Sequence, residues 1–204
     1  MIGIILFLVL FIVVVLFSFY KFYFLRDPAR KVPIGGENIV SPADGKIIMV
    51  KKFDKDKVDI DKRFLGKVKA LTKDVADKGF LVSIFMNFFD VHVNRAPISG
   101  IVKYVKHSKG RFINAERLAA TFENENVQTL FQDRNFKLKV IQIAGMVARR
   151  IVPFIKEKEK VIKGQKIGII KLGSQVTLIL PANVKINVHE EQKVFAGETV
   201  IATR

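Results

Sequence analysis

The first twenty residues constrain this chain more than any other feature. They carry no charged side chain, and only Gly3 and Ser18 interrupt a run of apolar and aromatic residues. Residues 2–20 span nineteen positions, close to the roughly 20 that an α-helix rising about 1.5 Å per residue needs to cross a bilayer core. A cleaved secretory signal has a basic segment before a shorter apolar run and small residues after it. Here no charge precedes the run, and Phe19, Tyr20, Phe22, Tyr23 and Phe24 close it. The segment therefore reads as an uncleaved membrane anchor over residues 1–25, with those aromatics as an interfacial belt. Lys21, Arg26, Arg30 and Lys31 all flank its C-terminal side, which by the positive-inside rule places the body, residues 26–204, in the cytoplasm on the cell membrane.

Charge and apolarity are segregated. All 35 Lys and Arg and all 19 Asp and Glu lie in the remaining 184 residues of the 204, so the body carries the whole net charge of +16. That split excludes a disordered chain and a polytopic membrane protein. The body is long enough for one domain with a real core. There is no cysteine, so disulfides, a thiolate nucleophile and a cysteine zinc site are impossible, and no metal site is expected. The basic residues are mostly lysines scattered through strand-like stretches, such as Lys51, Lys52, Lys55, Lys57, Lys62, Lys67 and Lys69. With no RNA-binding aromatic motif and no DNA-reading helix, nucleic acid is not an expected partner. Beside an anionic leaflet each nearby cation contributes about 1 kcal/mol to membrane attachment.

Beyond a Pro- and Gly-punctuated connector from Asp27-Pro28 to Gly35-Gly36, apolar residues recur mainly with period two, which predicts a mainly β body. Strands are expected at 46–52, 66–71, 80–85, 100–106, 136–144, 151–155, 165–171, 175–180 and 184–189. One helical pattern stands out: Ala115, Leu118, Ala119 and Phe122 fall at i, i+3, i+4 and i+7, with Asn114 available as N-cap. Ser41-Pro42-Ala43-Asp44-Gly45 and Ala96-Pro97-Ile98-Ser99-Gly100 share a small-Pro-x-x-Gly pattern ahead of apolar runs. Together with Leu180-Pro181-Ala182-Asn183 and Phe195-Ala196-Gly197, these turns resemble the β-sandwich of biotinyl and lipoyl carrier domains. The expected fold is an antiparallel β-sandwich or barrel with one or two short helices. No Met-Lys-Met is present, so carrier function does not follow.

Three residues stand out as chemistry-bearing. Asp44 lies in a tight Pro-Ala-Asp-Gly turn, His92 in Phe88-Phe89-Asp90-Val91-His92-Val93-Asn94-Arg95-Ala96-Pro97, and Ser174 follows Gly173 between two β-rich runs. Each also has an ordinary structural reading as a turn, a packed strand residue or a bulge, and spacing alone does not define a triad. Five segments taken in order say more. They are Phe24-Leu25-Arg26-Asp27-Pro28-x-Arg30, Val40-Ser41-Pro42-Ala43-Asp44-Gly45-Lys46, Val91-His92-Val93-Asn94-Arg95-Ala96-Pro97, His107-x-x-Gly110-x-Phe112-x-x-Ala115, and Lys171-Leu172-Gly173-Ser174-Gln175-Val176. Behind an anchor, this series resembles the short form of the phosphatidylserine decarboxylase family, including archaeal relatives that act on archaetidylserine.

The resemblance implies a proenzyme. Ser174 Oγ attacks the Gly173 carbonyl, the resulting ester eliminates, and hydrolysis leaves a pyruvoyl group, the enzyme's cofactor. The products are a β chain of residues 1–173 and an α chain of residues 174–204, partners within one precursor. By the same resemblance His92 is the general base, oriented by Asp44, and as imidazolium the acid that protonates the carbanion left after CO2 departs. The ketone acts as electron sink for that carbanion once the substrate amine has condensed with it. The expected substrate is a serine phospholipid, converted to the ethanolamine lipid in phospholipid biosynthesis, and tethering raises the enzyme's local concentration at that lipid. Asn94, Arg95 and Lys46 are candidates for the substrate's phosphate or carboxylate. Longer bacterial members carry a second histidine where this chain has Phe89, and His107 is the candidate substitute. His189 reads as structural. A membrane-tethered adaptor without chemistry and a membrane-bound serine hydrolase are the alternatives, and homo-oligomer formation stays open.

Overall fold

The computed structural model describes residues 2–54, 65–117, 119–146, 150–171 and 173–204. Helix α1 (Ile2–Ser18) buries no residue against the body. It continues into a wider π-helical turn, Phe19–Phe24, where Leu25 N–H reaches back to Tyr20 O at 3.1 Å. The 23 residues from Ile2 to Phe24 are long and apolar enough to cross a membrane. Phe24 ends the helix and is fully buried in the body.

Fourteen strands follow among the described residues: β1 (Asn38–Val40), β2 (Gly45–Asp54), β3 (Lys78–Met86), β4 (Val93–Arg95), β5 (Gly100–Ser108), β6 (Asn126–Asp133), β7 (Phe136–Ala144), β8 (Ile151–Pro153), β9 (Lys160–Val161), β10 (Lys166–Ile170), β11 (Ser174–Pro181), β12 (Lys185–Ile186), β13 (Lys193–Val194) and β14 (Val200–Thr203). Eight of them form one curled antiparallel sheet, half a barrel, in the order β13-β2-β3-β11-β7-β6-β5-β9. Two three-stranded sheets, β1-β14-β12 and β4-β10-β8, complete the body.

The expected alternation explains which side chains meet. In β11, Val176, Leu178 and Leu180 enter the main core with Val82, Ile84 and Met86 of β3 and Leu138 and Val140 of β7. Ile167 and Ile170 of β10 and Ile201 of β14 close that core from the small sheets. Ile179 faces the other way, into a second cluster with Leu81, Ile141 and Ile143. Because both faces of β11 are covered, every residue from Ser174 to Leu180 is buried. A fully buried Val, Leu or Ile contributes about 1.5–3 kcal/mol, so this central strand is the most strongly held element of the sheet.

Several sequence expectations change here. Residues 66–71, expected as a strand, lie in helix α2 (Leu65–Thr72). Lys-Val-Lys-Ala alternates too briefly to distinguish the two periods, and packing decides: Val68, buried, and Leu71, three residues on, cover the outer face of the sheet beside Met49 and Phe53. The helix expected around Asn114 to Phe122 is reduced to α3 (Ala120–Glu123), preceded by a turn in which Asn114 Oδ1 accepts Glu116 N–H at 3.0 Å. Leu118 lies outside the described residues. Strands expected at 151–155 and 184–189 shorten to β8 and β12. Strand β6 was not anticipated. It pairs with β7 through a two-residue turn, Arg134-Asn135, with Asp133 opposite Phe136, and the usual Asn-Gly or Asp-Gly turn signal is absent.

The two Pro-x-x-Gly turns end in glycines that begin β2 and β5. They also pack on each other: Val40 N–H binds Pro97 O at 3.0 Å, and Arg95 N–H binds Pro42 O at 2.9 Å. The repeated motif therefore joins two chain crossings beside the site.

Candidate active site

Ser174 opens β11, directly opposite Met86 of β3 and Ala144 of β7. It is fully buried, and among the described residues its Oγ has only the Met86 sulfur as partner, at 3.4 Å. Strand parity places Ser174 on the inner face with Val176 and Gln142. Asn94 Nδ2 approaches the same sulfur at 3.8 Å, while its Oδ1 accepts Gln142 Nε2–H at 2.7 Å. His92 continues the β4–β10 ladder, since Ile170 N–H binds its carbonyl at 3.3 Å. It therefore faces the same side as Asn94, two residues on. Ser174, His92 and Asn94 are all fully buried.

The imidazole is defined on both sides. Its Nδ1 lies 2.9 Å from the Asp90 carbonyl, which can only accept, so Nδ1 carries the proton. Nε2 is buried and has no hydrogen-bond partner among the described residues. Burial lowers its pKa from 6.5 to about 4, with the Arg26 charge acting the same way and the Asp90 carbonyl opposing. His92 is thus neutral near pH 7, with a basic lone pair on Nε2. The Phe24 ring covers the imidazole at a centroid distance of 4.3 Å, so the end of the N-terminal helix roofs the histidine.

Asp44 is held elsewhere. Its carboxylate forms a two-pronged pair with Arg30, 2.9 Å to each oxygen, and Oδ1 accepts Ala196 N–H at 2.7 Å. The side chains of Arg30 and Asp44 are only 6% and 7% exposed, so this is a buried ion pair. No bond joins Asp44 to His92; the Asp90 carbonyl takes the orienting position expected of Asp44. Asp90 itself is buried, its carboxyl pKa raised chiefly by desolvation and partly by the Asp44 charge.

Gly173 has φ +62°, a left-handed conformation that glycine adopts without penalty. Its carbonyl lies against Gly145: a Cβ added at 145 would sit 2.1 Å from Gly173 O and 3.0 Å from its carbonyl carbon. Only glycine at 145 lets the carbonyl of the Gly173–Ser174 bond occupy this position. Beside it lies a cavity of about 210 Å³ lined by Phe85, Phe88, Met146, Asn87, Asn114 and Gly173 among others. Leu172 lies outside the described residues.

Other expected binding residues are engaged in ion pairs. Arg95 is paired with Asp27 and donates to Gly164 O at 2.8 Å. Lys46 binds Glu191 at 2.8 Å, and His107 binds Glu125 at 2.9 Å. His107 lies on β5, three strands from β11 in the sheet order, roughly 14 Å along the sheet at the usual strand spacing. Phe89 is 65% exposed and points out of the site. His189 is exposed, with Nδ1 2.8 Å from Glu190 O. The post-anchor segment, read in sequence as a basic flank and a family motif with Phe24 in the interfacial belt, instead supplies much of the site's frame: Phe24 is buried in the body and covers His92, Arg26 donates to Phe89 O at 2.5 Å, Asp27 pairs with Arg95 and Lys166, and Arg30 holds Asp44. The signal available was the dense charge of Arg-Asp-Pro-x-Arg directly behind an apolar helix.

The half-barrel and the buried polar cluster at its end define a mainly β enzyme. A profile of the phosphatidylserine decarboxylase family matches residues 17–202. The chain is 40% identical over 185 residues to a Methanocaldococcus jannaschii protein named "Putative archaetidylserine decarboxylase proenzyme", covering 91% of this chain and 90% of that one. It is 38% identical over 182 residues to a phosphatidylserine decarboxylase proenzyme of Chlorobium phaeobacteroides, and 37% over 183 residues to one of Desulfotalea psychrophila, covering 89% of this chain and 78% of each. The chain belongs to the phosphatidylserine decarboxylase family and is a decarboxylase, a carboxy-lyase.

Proposed function

We propose that this chain is a self-processing, pyruvoyl-dependent decarboxylase of serine phospholipids, phosphatidylserine or archaetidylserine, working in phospholipid biosynthesis from the cytoplasmic face of a membrane held by residues 2–24. The observation that carries the reading is the Gly173–Ser174 link. It presents a carbonyl wedged against Gly145 and a buried hydroxyl with no strong acceptor among the described residues. That hydroxyl lies on the Met86 sulfur that Asn94 also approaches, and Asn94 is two residues from a neutral histidine with an unpartnered nitrogen among the described residues.

Ser174 Oγ gives its proton to His92 Nε2 and attacks the Gly173 carbonyl carbon. The C–O bond forms and the Gly173–Ser174 C–N bond breaks as His92 Nε2 passes that proton to the departing nitrogen, leaving an ester and a free amine at Ser174. Loss of the Ser174 α-proton then expels the Gly173 carboxylate. The resulting dehydroalanine tautomerises and takes up water, releasing ammonia and leaving the new chain end as a ketone. The site fits that group: the start of β11 is buried, its side-chain contact is a soft sulfur, and the adjacent cavity opens beside Gly173. When formed, the pyruvoyl group supplies the electron sink for decarboxylation.

Every other role belongs to encoded residues. His92 Nε2 holds the serine proton during processing and is the nitrogen that returns a proton during turnover. Asp44 acts indirectly, by holding Arg30 and the Ala196 backbone and by adding its charge to the field at Asp90. Asn94 orients Met86 against Ser174. Lys46 and Arg95 reach substrate phosphate or carboxylate only by leaving Glu191 and Asp27.

The test is denaturing electrophoresis and intact mass measurement of the expressed chain. Wild type yields fragments of 173 and 31 residues (204 − 173), the smaller one beginning with a ketone and formed alongside CO2 release from serine lipid. Ser174→Ala stays whole. His92→Ala and Asp44→Ala accumulate precursor, and Gly145→Ala processes about 100-fold slower or worse, because a carbonyl displaced by roughly 1 Å loses that much rate. A wild-type chain that stays whole under native conditions ends the proposal.

A further inference from the structure

Residues 87–90 form a tight turn whose tip carries two phenylalanines. Asp90 N–H binds Asn87 O at 3.1 Å, Asn87 N–H binds Asp90 Oδ2 at 2.9 Å, and Phe89 N–H binds Asn87 Oδ1 at 2.8 Å. Three hydrogen bonds hold the backbone, yet the side chains at the tip are left out: Phe88 is 43% and Phe89 65% exposed, and Met146 across the cavity mouth is 64% exposed. A rigid turn that presents adjacent aromatics to water, rimmed by cations, marks an interaction site.

We propose that this rim of Phe88, Phe89 and Met146 is a second membrane-contact surface, separate from the helix, that seats in the headgroup and upper acyl region of the bilayer that the helix enters. Continuity with the helix identifies the occupant. Arg26, two residues beyond the end of the helical span, donates to Phe89 O at 2.5 Å and lies over the Tyr23 ring at 4.0 Å. Leu25 packs with Val91, Val93 and Ile169 beneath the same turn. A helix that spans a bilayer therefore delivers the turn to the bilayer surface, where aromatic side chains settle at headgroup level and apolar faces bury to about 5–10 Å. Lys193, 3.8 Å from Asp90 and over the exposed Phe195 ring, adds a cation on the same side. Phe88 and Met146 also line the cavity beside Gly173, so the surface joins membrane to site without a water layer between them. The identity of the lipid drawn into the cavity rests on the decarboxylase reading; the contact with the bilayer does not.

The chain contains no tryptophan, so Phe89→Trp is a single fluorescent reporter. Full-length protein is reconstituted in vesicles of phosphatidylcholine and phosphatidylglycerol with acyl chains brominated near the glycerol. The reference is Asn183→Trp, in an exposed turn just beyond the far end of β11, roughly 25 Å from Ser174 by strand rise. Phe89→Trp emission is expected to be blue-shifted and quenched several-fold more than that of Asn183→Trp. Equal quenching overturns the proposal. Met146→Trp gives the same reading should Phe89→Trp fail to fold. Strong quenching without CO2 release from any serine lipid leaves this surface standing and defeats the decarboxylase reading; CO2 release with unquenched Phe89→Trp and Met146→Trp does the reverse.

Discussion

Burial of the His92 imidazole makes the protein's stability depend on pH in a direction the residue type alone does not give. Its pKa falls from 6.5 to about 4 in the folded state, so between those values the unfolded chain binds more protons and stability drops as pH falls. The contribution is complete above pH 6.5 and lost on the way down to about 4. From pH 7.5 to 4.5 the loss from this group is on the order of 2 kcal/mol. Asp90, raised by burial, acts in the opposite sense just above its ordinary range. Comparing His92→Gln with its parent, both in a Ser174→Ala background so that no chain is cut, isolates the histidine. Denaturant unfolding in detergent should give a pH slope that flattens in the variant. An unchanged slope would mean that the imidazole is solvated in the folded protein. At the same scale, His92 and Ser174 were legible as candidates, while Asp90, Met86 and Gly145 were not. Their parts come from a backbone carbonyl, a sulfur and a missing Cβ, which leave no distinctive residue pattern.

At the level of elements, helix α2 is fastened to the sheet by one buried charge. Lys139 of β7 is 1% exposed, with Nζ 2.6 Å from Asp74 Oδ1 and 2.5 Å from Leu71 O. Tyr104 of β5 also donates to Asp74. Burial lowers the lysine pKa, and Asp74 opposes that shift. Removing one partner of a buried pair costs about 3–5 kcal/mol when it strands the other charge away from water, whereas replacing both partners by apolar side chains of similar volume is often neutral. Asp74→Ala strands the buried ammonium and should cost about 3 kcal/mol, whereas Lys139→Met strands only a carboxylate that is 28% exposed and still held by Tyr104, and should cost less. Thermal denaturation of the two variants checks the order; equal losses would show that the aspartate does not support the lysine. The same elements show where periodicity misleads. A short alternating stretch became α2 because the outer face of the sheet needed a cover, and β6 escaped notice because its hairpin turn lacks glycine.

For the whole molecule, the position of the proposed cleavage site decides what self-processing would do to the fold. Ser174 opens the central strand, which pairs with β3 along one side and β7 along the other, and the residues after it also supply β12, β13 and β14. The 31-residue piece therefore contributes strands to two of the three sheets and should stay bound after cleavage. Native mass measurement in detergent should give one particle of both chains, and acid or denaturant should separate them. Release of the small chain under native conditions would contradict this topology.

The sequence by itself determined the apolar N-terminal helix long enough to cross a membrane, the antiparallel β character and the five segments that identify the family, because hydrophobic length, alternation and local motif are properties of consecutive residues. Only the tertiary structure decided that Phe24 of the helix roofs His92, that Arg30 claims Asp44, that Asp90 orients the imidazole, and that Phe89 faces outward. Each of these contacts is made across many residues of chain by packing and desolvation. The periodicity of a strand tells which face a side chain takes, but not which distant side chain waits there.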